Sequence, residues 1–188
     1  VTLGTFPSPV LASSPLVGGA VDQRIFAFRL SKAGGGKNTI TQIVIGVNVA
    51  DATVQLTSAK LFLTASGSTV SSGVNAIISG NTITFNPNGT FLTDFNDDSG
   101  PIIRDFYVEV TVRGNVTTLT PAITLSLAAA GITDTEPTAA APAGTTQTGS
   151  AFSFVDLKTT LTQNADAGAV VAGNTNIELM DFSALSNG

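Results

Sequence analysis

The chain has 188 residues and contains no cysteine, no histidine and no tryptophan. Without cysteine and histidine it lacks the usual protein ligands of zinc, haem, copper and iron–sulfur clusters. It also lacks the thiol nucleophile and the histidine base on which many covalent mechanisms depend. Disulfides cannot form, although this absence does not argue against secretion. We therefore expect a protein that is not an enzyme and needs no cofactor, with calcium as the one exception considered below.

Charged residues are also scarce, at 11% of the chain, whereas globular domains average about a quarter. The eight Lys and Arg residues are scattered, and the formal net charge is −5. Nucleic-acid binding requires clustered cations, so we expect no nucleic-acid partner. No apolar run has the length that a transmembrane helix requires, so we expect no membrane insertion. A chain that is 43% hydrophobic with so little charge is predicted to bury surface against neighbours as well as in its own core.

The strongest local pattern is the alternation of apolar and polar residues that is typical of β-strands. In residues 106–112 every second residue is Phe or Val, which predicts a half-buried antiparallel strand. Turn-forming pairs such as Gly80 and Asn81 separate the runs. Comparable runs cover residues 25–30, 40–49, 60–63, 83–85, 123–127 and 152–154. Many short strands at this spacing predict an all-β fold, an immunoglobulin-like antiparallel β-sandwich, with a jelly roll as the alternative.

A change of composition marks the end of this pattern. Residues 133–150 are rich in Thr, Ala and Pro, and Pro137 and Pro142 favour an extended backbone. We interpret this stretch as an arm that either covers an edge strand or is a simple surface excursion. Residues 1–154 then form one β-sandwich module that includes the arm, and residues 155–188 form an extended C-terminal strand segment.

The C-terminal segment resembles the start of the module when the chain is shifted on itself by 154 positions. Identical residues at matching positions are Val1 and Val155, Leu3 and Leu157, Thr5 and Thr159, Val17 and Val171, Gly19 and Gly173, Phe28 and Phe182, and Gly34 and Gly188. The chain would then hold one module and the opening strands of a second. The alternative is that residues 155–188 complete the same sandwich.

Opening strands of a second module would have no module of their own in which to pack. Two isolated strands are not stable in water, and an exposed apolar strand promotes aggregation. We therefore predict that the segment adds as a donor strand to a neighbouring copy or module, because strand addition satisfies the backbone while alternate side chains fill pockets. The predicted strand-exchange residues are Ile177, Leu179, Met180, Phe182 and Ala184. Head-to-tail contacts that do not close generate filaments.

A family resemblance is carried by residues 16–28, by residues 56–64 with their AKLF sequence, and by residues 81–85 together with 105–110. In order and strand pattern these stretches resemble the immunoglobulin-like β-sandwich modules of large bacterial surface proteins and adhesins, especially those of Bacteroidetes. The resemblance spans most of residues 15–130. It implies an exported, surface-attached structural domain that occurs in tandem, and hence an extracellular location.

The one acidic cluster of the chain could bind a cation. Asp94, Asn96 and Asp98 alternate as the first ligands of a calcium loop do, and calcium prefers several hard oxygens at short range. The cluster departs from the EF-hand pattern, since Ser99 stands where that loop needs glycine. A calcium site and a metal-free, Asx-rich turn are therefore both open.

Two further residues are candidates for modification. Asn88 and Asn115 each begin an Asn-X-Thr tripeptide in a predicted turn, which is the acceptor pattern for N-glycosylation.

Two functions are compatible with the sequence. The first is a structural subunit or repeat of an extracellular surface filament, such as a pilus or fimbria. It would assemble by head-to-tail β-strand addition, with copies of itself or adjacent modules as partners. The alternative is a ligand-binding module of a cell-surface adhesin, whose loops bind a host or surface glycan or a protein.

Overall fold

The computed structural model describes residues 1–12, 14–34, 38–49, 55–65, 68–69, 73–86, 101–113, 122–134, 141–155, 158–166 and 180–187. Every regular element within these residues is a β-strand except one 3-10 turn at Ala129–Gly131, so the predicted all-β class is confirmed. The first eight strands are β1 (Thr2–Gly4), β2 (Leu16–Val17), β3 (Gln23–Lys32), β4 (Ile40–Val49), β5 (Gln55–Ala65), β6 (Ser68–Thr69), β7 (Val74–Ser79) and β8 (Thr82–Phe85). They are followed by β9 (Ile102–Arg113), β10 (Ala122–Leu127), β11 (Ile132–Asp134), β12 (Ala143–Gly144), β13 (Gln147–Thr148), β14 (Phe152–Val155), β15 (Lys158–Asp166) and β16 (Met180–Asn187).

Fourteen of these strands belong to one curled sheet. Hydrogen-bonded neighbours along it follow the order β12, β1, β3, β9, β5, β7, β8, β4, β10, β14 and β2. Three further strands branch from this path, because β6 pairs with β5, β11 with β4, and β13 with β10. The last two strands, β15 and β16, pair with each other in a separate two-stranded sheet.

The sheet is mixed, and it differs from the expected antiparallel arrangement at both ends of its path. There β12 runs parallel to β1, and β2 runs parallel to β14. Neither short strand is joined to its partner by a hairpin, and only a hairpin connection would impose the antiparallel direction. The all-β class holds for the described residues, while the immunoglobulin-like sandwich and the jelly roll both stay predictions.

One apolar core fills the inside of the curled sheet. Alternate residues of the long strands are buried, as in β4, where Ile43, Ile45 and Val47 are buried. Phe28 of β3 stacks on Phe106 of β9 with ring centroids 5.2 Å apart. Strands from both halves of the path contribute to the same cluster. Burying each such side chain stabilises the fold by ~1.5–3 kcal/mol, which is why these segments form a sheet.

A β-bulge in β3 changes which residues face the core. Arg24 pairs with Glu109 of β9, and the next ladder pair joins Phe26 to Val108. Ile25 lies between these pairs, and both Ile25 and Phe26 are buried. Strict alternation would place Ile25 on the outside, so the bulge increases apolar burial at the start of β3.

The N-terminal segment, residues 1–22, contacts both ends of the sheet path. β1 pairs antiparallel with β3, while β2 pairs with β14. After β1 the chain leaves the β3 ladder, because Pro7 and Pro9 lack the N–H group that a continuing ladder needs. It then runs over the outer side of β3, where the Ala12 amide donates to the Arg24 carbonyl oxygen at 2.7 Å.

The described part of the arm closes the β1 end of the sheet. β12 lies beside β1, and Gly144 has a φ of 120°, a conformation that favours glycine. A Cβ atom at Gly144 would overlap the carbonyl oxygen of Leu3. The arm therefore covers the outer edge of β1 with a strand of only two residues.

Candidate functional site

The C-terminal hairpin, β15 with β16, is the part of the described chain that lies outside the main sheet. Its ladder runs antiparallel from Lys158 opposite Asn187 to Asp166 opposite Met180, with an irregularity between Gln163 and Ala165. Within the described residues, no ladder joins the hairpin to the fourteen-stranded sheet. A two-stranded sheet alone is marginal in water, so this hairpin is the natural candidate for a joining element.

Three of the predicted strand-exchange residues lie on the second strand of this hairpin. Met180, Phe182 and Ala184 occupy alternate positions of β16, and alternate residues of a strand share one face. Ile177 and Leu179 lie outside the described residues. The structure therefore places the central part of the predicted interface on one strand.

The C-terminal hairpin repeats the pairing of β1 with β3. After a shift of 154 positions, β15 begins at the counterpart of Gly4 and β16 covers the counterpart of most of β3. Both pairs are antiparallel. Up to the irregularity after Gln163, the ladders differ in register by four residues, because Gly4 pairs with Arg29 whereas its counterpart Lys158 pairs with Asn187, the counterpart of Ala33. An even shift keeps the same residues on the same face, so the apolar alternation is preserved.

The two antiparallel pairs differ in length, and proline is one reason why β1 cannot be longer. β1 has three residues and ends at Gly4, and Pro7 and Pro9 beyond it lack the N–H group that a longer ladder would need. Their counterparts are Leu161 and Gln163, which keep their amide N–H groups and lie within the nine-residue strand β15. The two hairpins thus begin alike, but only the C-terminal one continues as a long ladder.

The far edge of the second strand also differs between the two hairpins. In the module, β3 pairs with β9 along almost its whole length on the edge opposite β1. Its counterpart β16 has β15 as its only ladder partner within the described part of the chain. The backbone groups on the second edge of β16 are therefore a template for a further strand.

Compared with β16, the strands at the two ends of the main sheet offer few backbone groups to an added strand. Its path ends at β12 and β2, which have two residues each and lie next to Pro142 and Pro15 in the sequence. Short edges with neighbouring prolines accept an added strand poorly. An eight-residue strand such as β16 would find few backbone partners at either end.

A second candidate site lies on the outer face of β3, β9 and β5. Arg29 donates two hydrogen bonds to Asp105, at 2.6 Å and 2.7 Å. Arg24 binds Glu109 at 3.0 Å, and its guanidinium lies 4.0 Å above the ring centroid of Tyr107. The hydrogen bonds that Arg29 donates to the Asp105 carboxylate are the main cause that raises the pKa of Arg29, against the opposing effect of burial.

This outer face carries a small cleft. Residues 6–10 of the N-terminal segment line one side, and Arg24, Arg29, Asp105 and Tyr107 line the other, around a volume of about 260 Å³. The tyrosine is only 3% exposed, so its ring is covered and offers no open stacking surface. The charged groups named here bind one another, so the polar group that a ligand could satisfy is the buried hydroxyl of Thr64, which also lines the cleft and has no hydrogen-bond partner within the described residues.

The pattern of residues along each strand does not predict this cleft. Alternation predicts only that Tyr107 and Glu109 lie on the face of one strand opposite its apolar residues, and that Arg29 lies on the corresponding face of another strand. Bringing them together requires the β3–β9 register and the crossing of the N-terminal segment, neither of which has a local sequence signal.

The other predicted sites lie outside the described residues. This applies to the calcium candidates Asp94, Asn96 and Asp98 and to the glycosylation candidates Asn88 and Asn115. In the described part of the chain, no three His, Cys, Asp or Glu residues are grouped so that they could hold a metal ion. The same part contains no helix with the length and apolar character to cross a membrane.

Comparison with known proteins gives no family. No family model matches the sequence, and no curated protein matches it. Among solved structures, the chain is similar to one described as "AvmM Catalyzes Macrocyclization in Alchivemycin A Biosynthesis". The two share 12% sequence identity over 81% of this chain and 86% of that chain, with a TM-score of 0.33. A likeness at this level carries no conclusion about the fold or function of this chain.

Proposed function

We propose that this chain is a structural module of an extracellular surface filament or repeat array. Neighbouring modules are joined head to tail by β-strand addition through the C-terminal hairpin. The observation that carries the proposal is the separate hairpin, β15 with β16, which repeats the β1–β3 pair and has, among the described strands, no counterpart of the β9 strand that flanks β3. The proposal assigns no catalytic role to the chain.

The physical basis is the unmatched edge of β16. Backbone N–H and C=O groups form hydrogen bonds whenever a partner is within reach, and an added strand supplies them at regular spacing. Alternate apolar residues such as Met180, Phe182 and Ala184 add burial to that pairing. Because the donor hairpin is at one end of the module and the acceptor belongs to a neighbour, the contact does not close and a linear array results.

The scarcity of charge supports the same proposal. Only 11% of residues are charged, and a surface with so little charge favours permanent contacts over free solution. The extracellular location follows from the resemblance of residues 15–130 to tandem modules of bacterial surface proteins, which is an expectation from sequence pattern alone.

Refolding at high protein concentration tests the proposal. The 188-residue chain and a chain that ends at Asn174 are unfolded in denaturant and refolded over a range of concentrations, because exchange requires the acceptor strands to open. Sedimentation velocity and negative-stain electron microscopy then measure assembly. We expect linear oligomers of the full chain, growing with concentration, and monomers of the short chain.

Point variants provide the matched control. Phe182→Asp places a charge at a predicted buried position, and Ser183→Asp places the same charge at the adjacent position on the other face of the strand. We expect Phe182→Asp to abolish the oligomers and Ser183→Asp to retain them. If the full and short chains both refold only to monomers with equal sedimentation coefficients, the proposal is wrong.

The outer-face cleft supports a second candidate function, a glycan-binding or protein-binding module of an adhesin. The cleft is lined by paired charges and also by Thr64, whose buried hydroxyl has no hydrogen-bond partner within the described residues. Titration of the chain with a panel of oligosaccharides and peptides, followed by amide chemical shifts, tests this function. Shifts confined to residues 6–10 and to the strands beneath them, and lost in Arg24→Ala, would support it. Uniformly unchanged spectra would reject it.

A further inference from the structure

We propose that the unmatched edge of β16 pairs with a strand of the β9 type from a further module of the same fold. In this pairing Phe182 takes the register position that Phe28 has opposite Phe106. The inference rests on the proposed function, and it adds the identity and register of the partner strand.

The β3–β9 ladder shows what such a pairing requires. Phe28 lies directly opposite Phe106, and Phe26 lies opposite Val108. These four residues are buried, with exposures of 0% or 1%. The counterparts of Phe26 and Phe28 in the C-terminal hairpin are Met180 and Phe182, which are also large and apolar. The alternation that β9 accepts is therefore present on β16.

Other positions in the main sheet are already taken. Strand β9 has β3 on one edge and β5 on the other. Each long strand of the path likewise pairs on both edges over at least part of its length, and the path ends in strands of two residues. A β9 edge becomes available along its whole length where the β3 position is vacant. The matching position in a further module, whose first strands are β15 and β16, meets this condition.

A two-unit chain tests the inference directly. Residues 1–188 are followed by a second copy of residues 35–154, so the appended β9 has no β3 strand other than β16. Ser183→Cys is combined with Asp105→Cys in the appended copy, because Arg29, the counterpart of Ser183, lies opposite Asp105. The natural chain contains no cysteine, so any disulfide reports this contact.

The expected result is rapid disulfide formation under mild oxidation without denaturant. Opposite residues in a ladder have Cα atoms about 4.5–5.5 Å apart, which suits a disulfide. Two control pairs combine Ser183→Cys with Thr111→Cys in the appended copy, or with Asp105→Cys in the first copy, where β3 occupies the edge. We expect the matched pair to close at least about ten-fold faster than either control, since only its geometry fits.

A reference chain shows whether a second unit can fold when it is joined to a first one, so a hybrid whose second unit does not fold can still be interpreted. This reference joins residues 1–154 to a second copy of residues 1–154. If both units of the reference fold and the second unit of the hybrid does not, the inference is wrong. Equal closure rates for matched and control pairs would also overturn it. Filaments of the refolded 188-residue chain together with a failed hybrid would leave the proposed function standing and reject only this partner strand.

Discussion

The N-terminal pair β1–β3 and the C-terminal pair β15–β16 have similar sequences and different surroundings. β3 lies between β1 and β9, and its inward residues Phe26 and Phe28 belong to the core. β16 has the same apolar alternation and, in the described residues, β15 as its one ladder partner. A strand of this kind is therefore stabilised mainly by the strand on its second edge, because a two-stranded pair alone buries little surface.

The largest difference in stability is expected between substitutions of Phe28 and of its counterpart Phe182. Phe28→Ala removes a fully buried ring that stacks on Phe106, so we expect a loss of ~3–5 kcal/mol in the free energy of unfolding. Phe182→Ala in the same 188-residue chain should cost less than about 0.5 kcal/mol, as for a residue outside the main core. Urea unfolding followed by circular dichroism measures both. Equal losses would show that β16 already packs into a core, and would contradict the claim that β3 and β16 have different surroundings.

A smaller effect should come from giving the C-terminal hairpin the prolines of the N-terminal one. Leu161→Pro combined with Gln163→Pro places proline at the counterparts of Pro7 and Pro9 and interrupts the β15–β16 ladder. We expect amide exchange in residues 158–166 and 180–187 to become at least about ten-fold faster, since each lost ladder bond is worth about 0.5–1.5 kcal/mol.

The melting temperature of the main sheet should be unchanged in this variant. Leu161→Val combined with Gln163→Thr retains the amide groups and should leave the exchange rates near those of the natural chain. A variant with both prolines and full protection would mean that proline is not the reason why β1 is short.

The smallest effect concerns the outer-face ion pair. Arg29→Ser installs the residue found at position 183 and leaves the half-buried Asp105 without its partner. We expect a loss of about 1 kcal/mol in stability, at the upper end for a partly exposed pair. Adding Asp105→Asn should recover part of this loss, which a double-mutant cycle by thermal unfolding would measure.

This loss should not depend on pH in the neutral range. The Asp105 hydrogen bond raises the pKa of Arg29 in the folded state, so the associated stability is complete below the unfolded-state pKa and declines only in strong alkali. The difference between the natural chain and Arg29→Ser should therefore be constant between about pH 6 and pH 9. A steep change in that range would assign the stability to another group.

Local alternation was enough to predict many strands. The predicted strand at residues 40–49 agrees with β4 at both ends, and Ile83 and Phe85 are buried on β8 as their spacing indicates. The C-terminal segment is predicted from its similarity to the start of the chain, and Met180 and Phe182 lie on β16, while their role in strand exchange stays a prediction. Such predictions succeed because the side-chain period of a strand is two residues and depends on nothing distant.

Long-range features could not be predicted in this way. The bulge that buries Ile25 lies in the β3–β9 ladder, and the ring of Tyr107 is covered by Arg24 and Phe62, which lie on the two strands beside β9. The two parallel pairings at the sheet ends also join distant parts of the sequence. No local pattern encodes these contacts, because the partner strand supplies half of each interaction.

By itself the sequence determined the all-β class, the positions of the main strands and the similarity between the two ends of the chain. Composition and the two-residue period suffice for these, because burial of alternate side chains is a local property of an extended backbone. Only the tertiary structure decided which strand edges have a hydrogen-bonded neighbour and which, among the described strands, do not. The order of strands depends on the register and packing of segments far apart, and it places β9 beside β3 while β16 keeps β15 as its one ladder partner in the described chain.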